Sequence, residues 1–427
     1  MLLLAFLEVT AIAMQPPPVT PLPPEQLKPV PQLPPESPRP VQPLPPEPAA
    51  PVPQSPIVKP SDKGRQQRRD QAAAQPLPRA ERWSVSIPAS TTLPPVMDGV
   101  RVFAFIPPGV VGSFNLADGS QLWRVELAPD HPFAVHDGKL IVAAGEAMHA
   151  LDAGTGAVAW RQATGTLAAP PLIHEGWVVT SSGNEVVASR AEDGAVVWRQ
   201  PHGALRHMPT IEGDLLFLPL SDGRVLAVVL TTGEARWERK LGDAPSQIAA
   251  LAGRVYVGSA SKYFYCLDAA DGDREWRQRP GAVVIGRPAV DAERVYVATT
   301  DNLLRAYDRV SGALKWQAPL PFRPYSGPFL LGTSVIVPGY ITELTTLDAA
   351  SGKAGPALSF GAPLAGPIAL QLSDRGPLAA AITGGVAGDW KLSIWEVPTS
   401  VPTAPLSVLP GTPVPLPTGP PTAAVAR

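Results

Sequence analysis

The chain is almost without cysteine. One of its 427 residues is Cys, Cys266, set in the apolar run Tyr263-Phe264-Tyr265-Cys266-Leu267. No internal disulfide can form, so a disulfide-stapled framework is excluded, and a buried, inert thiol is the expected state. Positive charge is not in surplus either. Lys and Arg number 35 against 37 Asp and Glu, a net charge of −2, so duplex DNA or RNA is not an expected partner. Nor is there a long unbroken apolar run. The N-terminal stretch Met1–Ala13 is short and carries Glu8, which argues against a membrane span. It ends in Ala11-Ile12-Ala13, with Pro-rich sequence following at once. Residues 1–13 therefore read as a signal-peptide core, although no Lys or Arg precedes it. Export to the periplasm or cell envelope is the expectation. No cysteine follows the run, so a lipid-anchored terminus is not expected, and any membrane association should be indirect.

Proline is abundant, 55 in all, and crowded at the two ends. Residues 14–80 contain three near-copies in register: Pro21-Leu22-Pro23-Pro24-Glu25, Gln32-Leu33-Pro34-Pro35-Glu36 and Pro43-Leu44-Pro45-Pro46-Glu47. Proline fixes φ and removes an amide donor, so an extended polyproline II arm is expected, at about 3.1 Å per residue. It reads as a stiff spacer or as a ligand for a proline-recognition groove. A basic cluster, Lys63, Arg65, Arg68 and Arg69, reads as a solubilising linker or as a contact for an anionic surface. Residues 399–427 return to Pro, Thr and Val without periodicity, and disorder is expected there.

Between the ends, residues 81–398 repeat themselves. Ala150-x-Asp152-x-x-x-Gly156-x-x-x-Trp160 recurs as Cys266/Asp268/Gly272/Trp276 and as Ala306/Asp308/Gly312/Trp316. Weaker copies stand at Asn115/Gly119/Trp123, Arg190/Gly194/Trp198 and Val229/Gly233/Trp237, and Asp348/Gly352 lacks the Trp. The period is about 39 residues. Between successive Trp positions lie short apolar runs of four to six residues, such as Arg254-Val255-Tyr256-Val257-Gly258, joined by tight Gly turns. These read as a four-stranded antiparallel meander, the unit of a β-propeller blade. A blade cannot bury both faces alone, and packing around an axis solves this.

Counting from Trp83, eight Trp-type strands appear, the eighth falling at Pro356 where the Trp is lost. Three strands follow each. The chain thus begins with a fourth strand and ends with a third, so the first strand can complete the last blade. The expected fold is all-β: an eight-bladed propeller closed by an N-terminal strand. The Trp residues are expected to wedge between blades. The Asp residues are expected to accept turn amides or a donor from the neighbouring blade. The conspicuous residues, Asp152, Gly156, Trp160, Gly194, Trp198, Gly233, Trp237, Asp268, Gly272, Trp276, Asp308, Gly312 and Trp316, are all read as structural anchors.

This motif resembles the pyrroloquinoline-quinone-type propeller repeat. The resemblance implies eight blades with N-terminal closure. It also points to two kinds of relative, quinone-dependent alcohol dehydrogenases and the non-enzymatic outer-membrane assembly factors of BamB-like type. In the enzymes a vicinal disulfide, a Trp and a calcium ion hold the quinone over the central channel. This chain has no second Cys and no long insertions, so the assembly-factor branch is the nearer one.

Independent chemistry is sparse. His131, His136, His149, His174, His202 and His207 lack zinc or triad spacing. Of these, His131 and His136 read as flanking a turn, and His202 and His207 as sharing a loop. Glu175, Glu212 and Asp243 read as ordinary solvated turn residues. The turns around Gly145 and Gly183 have no helix after them and are not phosphate loops. The sequence therefore predicts a non-catalytic scaffold with no cofactor and no metal, binding protein partners through its loop faces. A quinone-dependent dehydrogenase is the alternative.

Overall fold

A computed structural model describes residues 81–339, 343–373, 376–384 and 388–396. The expected signal segment, the Pro-rich arm and the C-terminal tail lie outside them. Among the described residues all regular structure is strand, in eight separate four-stranded antiparallel sheets. Blade 2 shows the plan, with strands Ala134–His136, Lys139–Ala144, Ala147–Asp152 and Val158–Ala163 in spatial order. Seven blades are such meanders of consecutive strands. Blade 8 is not. Its outer strand, Glu81–Ile87, pairs with the last strand, Trp390–Glu396, with Val85 opposite Leu392. The ring is therefore closed by backbone hydrogen bonds between residues some 300 positions apart in sequence.

The second and third strands of each blade are buried on both faces, which is why they read as continuous apolar runs rather than alternations. Val102, Val142, Val178, Leu216, Val255, Val295 and Val335 are fully buried. The core is a series of clusters between successive blades, not one central mass. Innermost strands touch one another around the axis, including Pro245–Leu251 with Val284–Val290 and Val96–Met97 with Ala369–Ser373.

The tryptophan lattice is an inter-blade lock. A Cβ built on Gly156 of blade 2 would stand 2.9 Å from the Trp123 ring of blade 1, and one on Gly312 of blade 6 would stand 2.6 Å from the Trp276 ring of blade 5. The same holds for Gly119 on Trp83, Gly194 on Trp160, Gly233 on Trp198, Gly272 on Trp237 and Gly352 on Trp316. These glycines have φ between +69° and +76°, so the position needs both the left-handed backbone and a missing side chain. Each indole N–H also donates to a carbonyl of the same neighbouring turn, at 2.7 to 3.2 Å.

This geometry explains the one missing Trp. The lock for blade 7 would sit in a turn joining the third and outer strands of blade 8. Among the described residues those two strands are the last and the first, so no tight turn joins them. Blade 7 ends instead in the short strand Leu358–Ser359. Phe360 there meets Trp395 of blade 8 edge-on, with ring centroids 5.8 Å apart.

Candidate functional site: the two faces of the disc

Strand direction sorts the connections onto two faces. Outer-to-inner loops and second-to-third hairpins lie together on what we term the loop face, joined by bonds such as Leu127 N–H to Gly109 O and Ser221 N–H to Ala204 O, both 2.9 Å. Inner-to-second and third-to-outer turns lie together on the turn face, joined by Ala153 N–H to Gly138 O at 2.8 Å and Ala269 N–H to Gly253 O at 2.9 Å.

The repeat aspartates sit on the turn face and are engaged locally. Asp152 Oδ1 accepts from the Thr155 amide and hydroxyl, both at 2.8 Å. Asp308 Oδ1 accepts from Ser311 N–H at 2.9 Å, and its other oxygen meets Lys315 at 3.0 Å. Asp268 accepts from Ala270 N–H at 2.7 Å. Hydrogen bonds from Thr155 hold the Asp152 carboxyl below its ordinary range. The Ser311 amide does the same, first among several donors, for Asp308. Where the Asp is absent, another side chain serves the turn. Asp193 accepts from Ala195 N–H and pairs with Arg190 in blade 3, and Thr232 accepts from Glu234 N–H in blade 4.

The histidines do not converge. His131 and His136 do not flank a turn, because the inner strand Ala134–His136 separates them and directs them to opposite faces. His202 and His207 do share a loop on the loop face. His202 Nε2–H donates to Gly233 O at 2.7 Å, and its ring lies edge-on to Trp198. Desolvation holds His149, His202 and His207 below the ordinary imidazole value. No group of three His, Cys, Asp or Glu among the described residues is placed to hold a metal.

Glu212 corrects the sequence reading. It is no solvated turn residue: it ends the inner strand Thr210–Glu212 and accepts from Gly253 N–H of blade 5 at 2.9 Å. Its second oxygen is buried without a partner. Burial raises its carboxyl above the ordinary value, against the hydrogen bond from Gly253 and the nearby Arg309. Arg309 of blade 6 reaches the same turn, donating to Leu251 O at 3.3 Å. The pair clasps blade 5 from both sides. Only the intervening fold brings these residues together, so no local signal could have marked them.

Arginines are paired on both faces: Arg101 with Asp98 at 2.8 Å and Arg254 with Glu275 at 2.6 Å on the turn face, and Arg224 with Asp222 and Arg305 with Asp301, both at 2.6 Å, at the hairpins of the loop face. On the loop face Arg206, Arg287 and Arg323 are exposed and have no ion-pair partner among the described residues. Arg287 lies on an innermost strand. It is open to solvent yet densely surrounded by protein, as a side chain in a central channel is, and the lost hydration holds its guanidinium below the usual arginine value. The residues present do not fit the quinone cofactor of the related enzymes. Cys266 is alone and buried, with Sγ 3.5 Å from Glu275, and burial pushes its thiol far up.

A family model described as "Outer membrane protein assembly factor BamB" matches residues 107–252 and 246–359. The outer membrane protein assembly factor BamB of Yersinia pestis is 28% identical over 148 residues, 31% of this chain and 38% of the relative. That of Kangiella koreensis is 26% identical over 146 residues, 31% of this chain and 37% of the relative. The matched stretch thus spans little more than a third of these relatives' length. In fold, the chain is similar to BamB from Moraxella catarrhalis, with a TM-score of 0.60 and 19% identity over 75% of this chain and 98% of that one. It is also similar to the quinohemoprotein alcohol dehydrogenase ADHIIG from Pseudomonas putida HK5, with a TM-score of 0.58 and 16% identity over 80% and 78%.

Proposed function

The chain belongs to the family of the outer membrane protein assembly factor BamB, and from that premise we propose that it is a non-catalytic scaffold of the cell envelope that takes part in assembling outer-membrane proteins. The match of the family model from blade 1 through blade 7 carries this reading. The geometry supports it. Short connections leave two broad, rigid surfaces, and the loop face offers exposed guanidinium groups free for a partner's carboxylates. Protein partners dock on that face. Residues 1–13 direct export. The arm's Pro-rich repeats are a further binding element for a proline-recognition partner.

The test is genetic and biochemical together. A strain lacking the protein should show reduced outer-membrane β-barrel protein levels, restored by the full chain. Affinity capture of the full chain from envelope extract should recover proteins of the outer-membrane assembly machinery. Unchanged barrel protein levels together with no such capture would refute the proposal.

A further inference from the structure

Blade 5 carries a patch that neither the fold nor the family reading uses. Its second-to-third hairpin places Lys262 and Tyr263 beside Arg277 and Arg279, which belong to the outer strand and its continuation. Arg277 Cζ lies 4.4 Å and Arg279 Cζ 5.6 Å from the Tyr263 ring centroid. The two guanidiniums are two residues apart, so they project from the same side of the strand. Lys262, Arg277 and Arg279 are exposed, and none has an ion-pair partner among the described residues. At the same register position, just after the lattice Trp, Arg199 of blade 3 pairs with Glu185, and in blade 4 Glu238 pairs with Arg224. Arg277 has an aromatic ring in place of such an ion-pair partner. The nearby acid on the bordering loop, Asp243, accepts from Ala244 N–H.

A second observation concerns Lys262 itself. Its hairpin turn is closed by Lys262 N–H to Ser259 O, and its φ is +65°. The equivalent turn residues are Gly223 in blade 4 and Asn302 in blade 6, closed by the same bond pattern. Glycine and asparagine are the residues that tolerate this conformation. Blade 5 holds a lysine there against local preference, adjoining the Tyr263 ring on which both arginines lie. Strain kept at an exposed cationic cluster points to use.

We propose that Lys262, Tyr263, Arg277 and Arg279 form a docking site for an extended acidic segment of a protein partner. Stacking on Tyr263 occupies the guanidinium faces and leaves their in-plane N–H groups free for bidentate carboxylate bonds. Alternate residues of an extended strand repeat at about 6.6 to 6.8 Å, so acids at every second position match Arg277 and Arg279. The outer strand of the blade also offers its free backbone edge for strand addition. A membrane surface has no such fixed spacing. This site does not depend on the family reading.

The test uses the full chain and two fluorescein-labelled ten-residue peptides of equal composition. One alternates Glu with Val or Thr; the other gathers its acids in a block. Anisotropy should show the alternating peptide binding at least 10-fold tighter. Arg277→Gln with Arg279→Gln should lose at least 10-fold, and the double Lys replacement several-fold, since charge remains but the planar fork is lost. Lys262→Gly should raise the melting temperature while weakening binding, which keeps the test valid should the double variant fold poorly. Equal binding of both peptides, or unchanged affinity in the variants, overturns the proposal. So does co-sedimentation with phosphatidylglycerol vesicles that the double Gln variant abolishes.

Discussion

The smallest unit of this molecule is a pair, one tryptophan under one glycine of the next blade. The glycine position is doubly restricted, so Gly312→Ala should destabilise through both left-handed strain and contact with Trp276, by about 2–4 kcal/mol. Chemical denaturation reads this directly. Trp160→Phe keeps most of the ring packing but orphans Ala191 O, which accepts from Nε1 at 3.0 Å. A loss of about 1–2 kcal/mol is expected. Glu212 gives a pH signature. Its folded-state pKa is raised, so the native protein binds more protons than the unfolded chain above the ordinary Glu value. Stability is therefore present below that value and lost as pH rises through the raised one. Glu212→Gln keeps the acceptor for Gly253 N–H and removes the desolvated charge. Its melting temperature should exceed wild type at neutral pH, with the gap closing near pH 4. A gap that does not change with pH would contradict this.

The element scale shows what the sequence could and could not disclose. The blade plan was legible because Asp, Gly and Trp recur at fixed offsets, each set by a local turn or a nearest-neighbour contact. The closing strand was legible because the strand count begins out of phase. The loss of Trp at position 356 read only as decay. It is a consequence of closure, since no tight turn joins the third and outer strands of blade 8. The Glu212–Arg309 clasp and the Tyr263 patch were not legible. Each depends on strand register, which places residues from different elements side by side. Closure also sets an expectation for the element. Removing residues 81–87 takes the outer strand from blade 8 and the Trp83 lock from blade 1. Amide exchange should then quicken first in residues 378–396 and 101–126, while blades 3 to 5 keep their protection. Uniform loss across the ring would argue against a local closing role.

At the scale of the whole molecule, the disc has two faces. Turn-face carboxylates such as Asp152 and Asp308 serve turn amides, and arginines such as Arg101 and Arg254 are paired there. The loop face carries Arg206, Arg287 and Arg323 without ion-pair partners among the described residues. The histidines are dispersed over both faces. A rigid scaffold requires only fixed surfaces, which the seven Trp–Gly locks and the closing strand supply. The most direct measurement of that claim is site-specific photo-cross-linking in living cells. A cross-linking residue would replace Met208 or Arg323 on the loop face, and Val310 or Asp273 on the turn face. The expected result is capture of an outer-membrane protein assembly component from the loop-face positions and not from the turn-face ones. Capture confined to the turn face, or no capture of such a component from either, would contradict the scaffold role proposed here.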